Sequence, residues 1–116
     1  MRHQKTKITL DRNSAARRSL LTNLAESLIL HEKIKTTKAK ARALRSYVEK
    51  LITKSKPNTL AARREIIKEL YTENAIKKLM EQLGPRYKDR AGGYTRTTSL
   101  RNRVGDGAEE VQIEFV

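Results

Sequence analysis

The sequence contains no cysteine and no long apolar stretch, and both absences restrict what the protein can be. Without cysteine there is no disulfide, no thiolate chemistry and no cysteine-ligated metal. Apolar runs are no longer than that at Leu28–Leu30, whereas a helix that crosses a bilayer needs about 20 apolar residues. No apolar segment follows Met1–Lys5, so no secretory signal is indicated. These absences predict a soluble, intracellular protein of the cytoplasm, with no membrane partner.

Metal-ligating residues and apolar residues are also scarce. His3 and His31 lie far apart and show no metal-ligand spacing, so no metal and no cofactor are predicted. Hydrophobic residues make up 37% of the chain, against roughly 45–50% in an average globular protein. A chain of 116 residues is expected to form one domain, because domains commonly run to roughly 100–150 residues. Its core must therefore be modest.

What the chain has in excess is positive charge. The formal net charge is +13 and the isoelectric point is about 10.3. The excess lies in three basic blocks, 1–19 (+5), 33–56 (+8) and 84–103 (+5), whereas the tail from Val104 carries −4. A merely solvated surface mixes the two signs more evenly along the chain. The blocks therefore predict a polyanionic partner.

Apolar residues at helical spacing predict two helices in the first half of the chain. The first runs from about 14 to 30, and Asn13 or Ser14 can cap it through a side-chain oxygen. The second follows a cap at Thr36 or Thr37 and ends near Lys56, because the next residue is proline and disfavours helical geometry before it.

Two more helices are predicted after the second one. The third spans 59–71, is capped by Asn58 or Thr59, and has an inward stripe formed by Leu60, Ile66, Ile67 and Leu70. The fourth starts at Thr72 and is expected to stop at Gly84-Pro85, since glycine can supply a left-handed terminus and proline cannot continue the helix.

The period of the pattern then changes from helical to alternating. The segment 93–103 is rich in Tyr and Thr, a turn is marked at 105–107, and Val111, Ile113 and Phe115 alternate with polar residues. The β-branched segment 31–37 could add a third strand. We therefore predict an α+β fold, with about four helices packed against a small antiparallel sheet of two or three strands. The predicted organisation is a basic N-terminal arm, 1–12, followed by a single domain, 13–116.

Three regions are candidates for binding a polyanion. The arm carries Arg2, Lys5 and Lys7 and could lie along phosphates, although a frayed terminus is the alternative. Cations also stand at two helix starts, where the helix dipole disfavours them unless an anion is near. These cations are Arg12, Arg17 and Arg18 on the first helix, and Lys38, Lys40 and Arg42 on the second.

The third region interleaves cations with two aromatic residues and a glycine pair over residues 86–96. Arginine can pair with phosphates or stack on bases, tyrosine can stack or reach a 2′-hydroxyl, and glycine allows close backbone approach. The residues concerned are Arg86, Tyr87, Lys88, Arg90, Tyr94 and Arg96. The alternative is a loop that leads into a strand, with Tyr87 and Tyr94 packed on the core.

Catalytic readings are poorly supported. Glu109, Glu110 and Glu114 lie on the polar face of a predicted strand or at its turn, where solvated carboxylates are expected. Gly92-Gly93 lacks the Lys-Ser/Thr context of a phosphate-cradling loop. Two competing hypotheses remain open, a small nuclease and a DNA-binding helix-turn-helix made of helices 37–56 and 59–71. The third helix lacks the array of Gln, Asn and Arg that reads base edges.

The order of short motifs along the whole chain resembles the L-seventeen family of bacterial large-subunit ribosomal proteins. The motifs are Met1-Arg2-His3, Arg12-Asn13-Ser14, Arg17-Arg18, Leu24-Ala25, Ser27-Leu28, Ile34-Lys35-Thr36-Thr37, Val48-Glu49-Lys50-Leu51-Ile52-Thr53, Ala62-Arg63-Arg64, Pro85-Arg86-Tyr87, Asp89-Arg90 and Gly92-Gly93-Tyr94-Thr95-Arg96. The specificity of the resemblance comes from their occurrence together and in order.

The resemblance implies a structural, non-catalytic protein of the large ribosomal subunit. Its partners would be large-subunit ribosomal RNA and neighbouring ribosomal proteins, with no small-molecule substrate, near the side of the subunit where the nascent chain emerges. The matched residues implied as RNA contacts are Arg2, His3, Arg12, Arg17, Arg18, Lys35, Arg63, Arg64, Arg86, Arg90 and Arg96. Together with the candidates above and with Arg101 and Arg103 of the third basic block, they form the predicted RNA-binding set.

Overall fold

The computed structural model describes residues 9–10 and 12–116, so most of the predicted arm, with Arg2, His3, Lys5 and Lys7, lies outside the described residues. Five helices, a π-helical segment and three strands follow one another along the chain. They are α1 (Ser14–His31), β1 (Lys33–Thr37), α2 (Lys38–Ser55), α3 (Leu60–Ile67), α4 (Glu73–Lys78), the π-helical segment Leu79–Leu83, α5 (Gly84–Arg86), β2 (Thr95–Asn102) and β3 (Glu109–Phe115). The last three helical pieces run on without a break, which leaves four separate helices and confirms the predicted α+β class.

Capping interactions set both ends of helix α1. The Asn13 side chain accepts a hydrogen bond from the Ala16 backbone N–H at 2.9 Å, as one of the two predicted caps. At the other end Glu32 adopts a left-handed conformation with φ 64°, and its N–H donates to the Leu28 carbonyl at 2.7 Å. This tight end directs the chain straight into β1, the strand that the β-branched segment 31–37 suggested.

The three strands form one antiparallel sheet in the order β1-β3-β2. Ile34 lies opposite Ile113, and Ile113 lies opposite Thr97, so these residues share the face that packs against the helices. The alternation predicted for β3 is confirmed, because Val111, Ile113 and Phe115 are buried while the residues between them are not. A register shift between Ser99 and Arg101 places a bulge at Leu100 in β2.

Helix α2 and the α4–α5 rod, the continuous helical segment formed by α4, the π-helical segment and α5, supply most of the core beneath this sheet. Leu44, Val48 and Ile52 of α2 have no exposed surface, which agrees with the helical spacing of apolar residues that predicted this helix. From the rod, Leu79 and Leu83 are equally buried. The core is thus built from apolar positions that the helical spacing had indicated.

The prediction that Gly84-Pro85 ends the fourth helix is wrong. Gly84 has a right-handed helical φ of −55°, and the helix continues to Arg86. Proline lacks an N–H, and the chain accommodates it through a π-helical turn in which the Gly84 N–H donates to the Leu79 carbonyl, five residues back. Glycine is needed here for space, since a Cβ atom would lie 2.9 Å from the Ser55 carbonyl oxygen on α2.

The predicted inward stripe of the third helix is wrong in two of its four residues. Ile66 and Leu70 are buried, but Leu60 is 64% exposed and Ile67 is 50% exposed. The reason is that α3 ends at Ile67, earlier than predicted, and the chain turns there. Leu70 therefore reaches the core from the turn, and one face of a short helix suffices to anchor α3 through Ile66.

Candidate nucleic-acid interface

The cations at the start of α1 lie around a helix N-terminus that has no acidic residue in its first turn. The Arg17 guanidinium donates to the Arg12 carbonyl at 3.1 Å and lies 3.4 Å from the Ser14 hydroxyl. Arg18 donates to the Lys68 carbonyl at 3.3 Å. These bonds hold both guanidiniums at the helix start, and no carboxylate of residues 9–10 and 12–116 pairs with them, so their positive charge is available to an anion.

The cations at the start of α2 differ in whether they form an ion pair. Thr37 occupies the N-cap position but makes no side-chain capping bond. Lys38 forms an ion pair with Glu109 of β3 at 3.4 Å, whereas Lys40 and the exposed Arg42 have no ion-pair partner in the described part of the chain. On α3, Arg64 is exposed, and Arg63, partly buried beside it, likewise takes part in none of the ion pairs found there.

Tyr87 and Tyr94, both predicted to contact RNA, are core residues. Tyr87 is 3% exposed and Tyr94 is 2% exposed, and their ring centroids lie 5.2 Å apart. The Tyr87 hydroxyl donates to the Val116 carbonyl at 2.7 Å, and Phe115 packs on the same ring with centroids 6.4 Å apart. Stacking of either ring on a base is therefore excluded, and the alternative of core packing is the correct one. The most exposed aromatic side chain is Tyr71, at 64%, which lies outside every predicted patch.

The cations of the 86–103 segment divide into paired and free ones. Arg86 pairs with Glu32, which also holds Lys78 at 3.4 Å. The hydrogen bond from Arg86 is the main cause that lowers the pKa of the Glu32 carboxyl below its ordinary 4.5, and the same bond raises the pKa of Arg86. Lys88 and Arg90 are exposed and take no part in the ion pairs of residues 12–116.

The acidic C-terminal strand neutralises further members of the predicted set. Two nitrogens of the Arg96 guanidinium donate to one oxygen of Glu114, at 3.2 and 3.0 Å, across neighbouring strands. Arg103 pairs with Asp106, and this bond holds the pKa of the Asp106 carboxyl at about 2. Lys35 and Arg101 lie opposite Gln112 and Glu110 in the register of the sheet. Sequence reasoning missed the Arg96–Glu114 pair, because strand register is set by tertiary packing.

The predicted set also omits cations that the fold brings to one surface. Arg45, Lys50 and Lys54 are exposed on α2, and no ion pair reaches them from the residues that the structure describes. Their spacing from Arg42, at three or four residues and multiples of these, is the signal that could have found them, since such residues share a helix face.

Alternative chemistries find no support in the described part of the chain. Residues 9–10 and 12–116 contain no group of three His, Asp or Glu side chains that could hold a metal ion. Within the same residues, no helix is long and apolar enough to cross a membrane. A small α+β domain with exposed cations on most of its elements is suited to a polyanionic partner.

Comparison with known proteins identifies the family. Residues 20–116 match the family described as "Ribosomal protein L17". The chain is 50% identical to the large ribosomal subunit protein bL17 of Rickettsia bellii (strain OSU 85-389) over 116 residues, covering 100% of this chain and 82% of the relative. It is 47% identical to the bL17 protein of Neorickettsia sennetsu, with both chains covered in full, and 49% identical to that of Gemmatimonas aurantiaca, covering 98% of the relative. The chain belongs to the ribosomal protein L17 family. It is therefore a structural ribosomal protein and not an enzyme.

Proposed function

We propose that this chain is a structural constituent of the large ribosomal subunit that binds large-subunit ribosomal RNA and contacts neighbouring ribosomal proteins, in the ribosome and without catalysis. The observation that carries the proposal is the full-length relationship to large-subunit bL17 proteins, three of them at 47–50% identity. The distribution of charge supports it, because a net charge of +13 on 116 residues favours a polyanion as partner.

The proposed RNA contacts are the cations that form no ion pair with an acid in the part of the chain that the structure describes. At the start of α1 they are Arg17 and Arg18, which are held by backbone carbonyls. Next come exposed cations of α2, α3 and the loop before β2, represented by Arg42, Arg64 and Arg90. An unpaired exposed cation can exchange its counterions for RNA phosphates at little desolvation cost, which is the main source of sequence-independent affinity.

The predicted division of the chain supports a two-part mode of binding. We propose that the arm, 1–12, lies along the RNA, while the domain, 13–116, presents a preformed surface. The arm carries Arg2, Lys5 and Lys7 against a single acid in its sequence, so its removal should eliminate several of the proposed phosphate contacts.

The decisive test measures the affinity of the full chain for purified large-subunit ribosomal RNA as the salt concentration rises. Each phosphate contact contributes roughly −0.7 to −0.9 to the log–log slope, so several contacts give a steep dependence. A chain lacking residues 1–12 should bind the same RNA with a shallower slope. Duplex DNA at equal phosphate concentration is the competitor control. The proposal is wrong if duplex DNA competes for the chain as effectively as unlabelled RNA does. It is also wrong if purified large subunits do not contain this chain.

A further inference from the structure

A cleft lies between α2 and the chain that leads into β2. Its volume is about 520 Å³, and it is open to solvent along one side. One wall comes from the second half of α2 and includes Ser46, Lys50 and Lys54, and the other comes from Gly92 and Tyr94. We call this feature the α2–β2 cleft. None of the three α2 residues belongs to the RNA-binding set that the sequence predicted.

The α2 wall of the cleft carries two lysines, Lys50 and Lys54, on a helix flank that begins at Arg42. Arg42, Ser46, Lys50 and Lys54 follow one another at intervals of four residues, so they line one flank of the helix, and all four are exposed. The acid in the cleft, Glu49, is already engaged, because its Oε1 atom accepts from the Tyr94 N–H at 3.1 Å and lies 3.4 Å from the Thr95 hydroxyl. The carboxylate therefore holds the opposite wall in place, and the cations of the flank remain free for an anionic ligand.

Strand β2, which begins directly after Tyr94 of the cleft, carries exposed hydroxyl groups. Thr97 and Ser99 lie opposite Ile113 and Val111, which places them on the helix side of the sheet, yet both are exposed. A second cavity of about 140 Å³ adjoins Ser99 at the far end of β2 and reaches the start of α2 at Lys38. The two cavities thus lie at the two ends of β2, with exposed hydroxyl-bearing residues of the strand between them.

Gly92, the first residue of the glycine pair, lines the cleft. Gly92 and Gly93 have φ values of +94° and +64°, which favour glycine, and a Cβ atom at either position would meet nothing within 4 Å. The backbone conformation therefore accounts for both glycines, and packing does not. The turn that they form leads the chain to Tyr94 without a side chain at the rim, so a ligand can approach the backbone closely.

We propose that the α2–β2 cleft binds a single strand of RNA through its ribose–phosphate backbone, with Lys50 and Lys54 on phosphates in the cleft and with Thr97 and Ser99 on 2′-hydroxyls where the bound strand continues along β2. The volume lies within the roughly 300–1,000 Å³ of sites for small ligands, so it accommodates a nucleotide-sized group. The surface is concave, and the nucleotides of single-stranded RNA can splay out into such a cleft, whereas those of a duplex stay stacked and paired.

Recognition in this cleft is of the backbone and not of the bases. The aromatic ring that borders it belongs to Tyr94, which is 2% exposed and covered by the Lys56 ammonium, 4.6 Å from the ring centroid. The ring therefore offers no platform on which a base could stack. The hydroxyl groups, in contrast, can donate to and accept from a 2′-hydroxyl, which DNA lacks.

The first experiment compares two doubly substituted chains of equal charge. The cleft variant is Lys50→Gln with Lys54→Gln, and the control is Lys33→Gln with Lys77→Gln, two exposed lysines that do not border the cleft. With purified large-subunit ribosomal RNA, the cleft variant should reduce the magnitude of the log–log salt slope by about 1.4, since each lost single-strand contact contributes about 0.7. The inference is overturned if the control reduces the slope as much as the cleft variant, or if neither changes it.

The second experiment places a photo-crosslinking residue at position 46 in assembled large subunits. Crosslinks to unpaired nucleotides support the proposal, whereas crosslinks to another protein, to paired nucleotides or to nothing contradict it. A third variant, Thr97→Val with Ser99→Ala, should lose affinity for an oligoribonucleotide but not for its deoxy counterpart. The inference rests on the proposed function, and the two fail differently. If only the inference is wrong, the wild-type chain binds the RNA with a steep salt dependence, and the cleft variant behaves like the control variant. If the proposed function is wrong, the wild-type chain itself does not bind the RNA.

Discussion

Substituting Gly84 with alanine separates two opposing effects at one position. Gly84 lies inside a continuous helical rod with φ −55°, so alanine should gain about 1 kcal/mol in helix propensity. The added Cβ atom, however, would lie 2.9 Å from the Ser55 carbonyl oxygen and 3.0 Å from the Ser55 hydroxyl oxygen. Ser55 is fully buried, and its hydroxyl donates to the Ile52 carbonyl at 2.7 Å, so neither oxygen can move without disturbing α2.

Overpacking of this kind costs about 1–3 kcal/mol, and the carbonyl contact favours the upper part of that range. We therefore expect Gly84→Ala to lower the free energy of unfolding by about 1–2 kcal/mol, measured by urea denaturation with an unchanged m value. In a Ser55→Ala background the loss should shrink but not vanish, because the hydroxyl contact is removed and the carbonyl contact remains. A Gly84→Ala protein as stable as wild type, or more stable, would refute the reasoning.

Three further predictions concern polar groups whose partners the structure defines. Glu26→Ala should cost about 1–3 kcal/mol in urea denaturation, because the buried carboxylate accepts from the Tyr71 N–H at 2.7 Å and removal leaves that donor unpaired; a loss below that of an exposed Glu→Ala change would contradict this. Arg86 lowers the pKa of Glu32 in the folded state, so the stabilisation from this pair is present above the ordinary pKa of 4.5 and disappears as the pH falls through the folded value. The free energy of unfolding of wild type should therefore exceed that of Glu32→Gln near neutral pH, and the difference should shrink on acidification. A difference independent of pH would contradict this. Tyr94→Phe should leave the affinity for large-subunit ribosomal RNA unchanged in a binding assay, because the ring is buried, and a tenfold loss with the fold intact would contradict it.

Features set by local sequence were predictable. Asn13 caps α1 because its side-chain oxygen accepts a hydrogen bond from a backbone N–H of the first turn, which has no partner within the helix. Strand β3 follows from the strict alternation of apolar and polar residues around Val111 and Ile113. The stripe of α2 is equally local. In each case the residues that decide the structure lie within one or two turns, or within one strand, of each other.

Features set by contacts between distant segments were not predictable. Gly84 next to a proline has the pattern of a helix end, and only the approach of Ser55, 29 residues earlier, shows why glycine occurs inside the helix. Ile67 fits an inward stripe until the chain turns after it. Tyr87 and Tyr94 lie among cations in the sequence, but the rings point into the core, because aromatic residues next to a strand serve packing as readily as recognition.

The same limit applies to charge, and it changes which surface should dominate RNA binding. Along the sequence, 33–56 and 84–103 are both basic blocks, yet the fold treats them differently. In the 84–103 block, Arg86, Arg96 and Arg103 pair with carboxylates, two of which belong to the acidic tail. In the 33–56 block, only Lys38 forms an ion pair with another described residue. Free cations release counterions to RNA, whereas paired ones must first break a bond. The acidic tail therefore concentrates the effective positive charge on α2, the helix that forms the wall of the α2–β2 cleft.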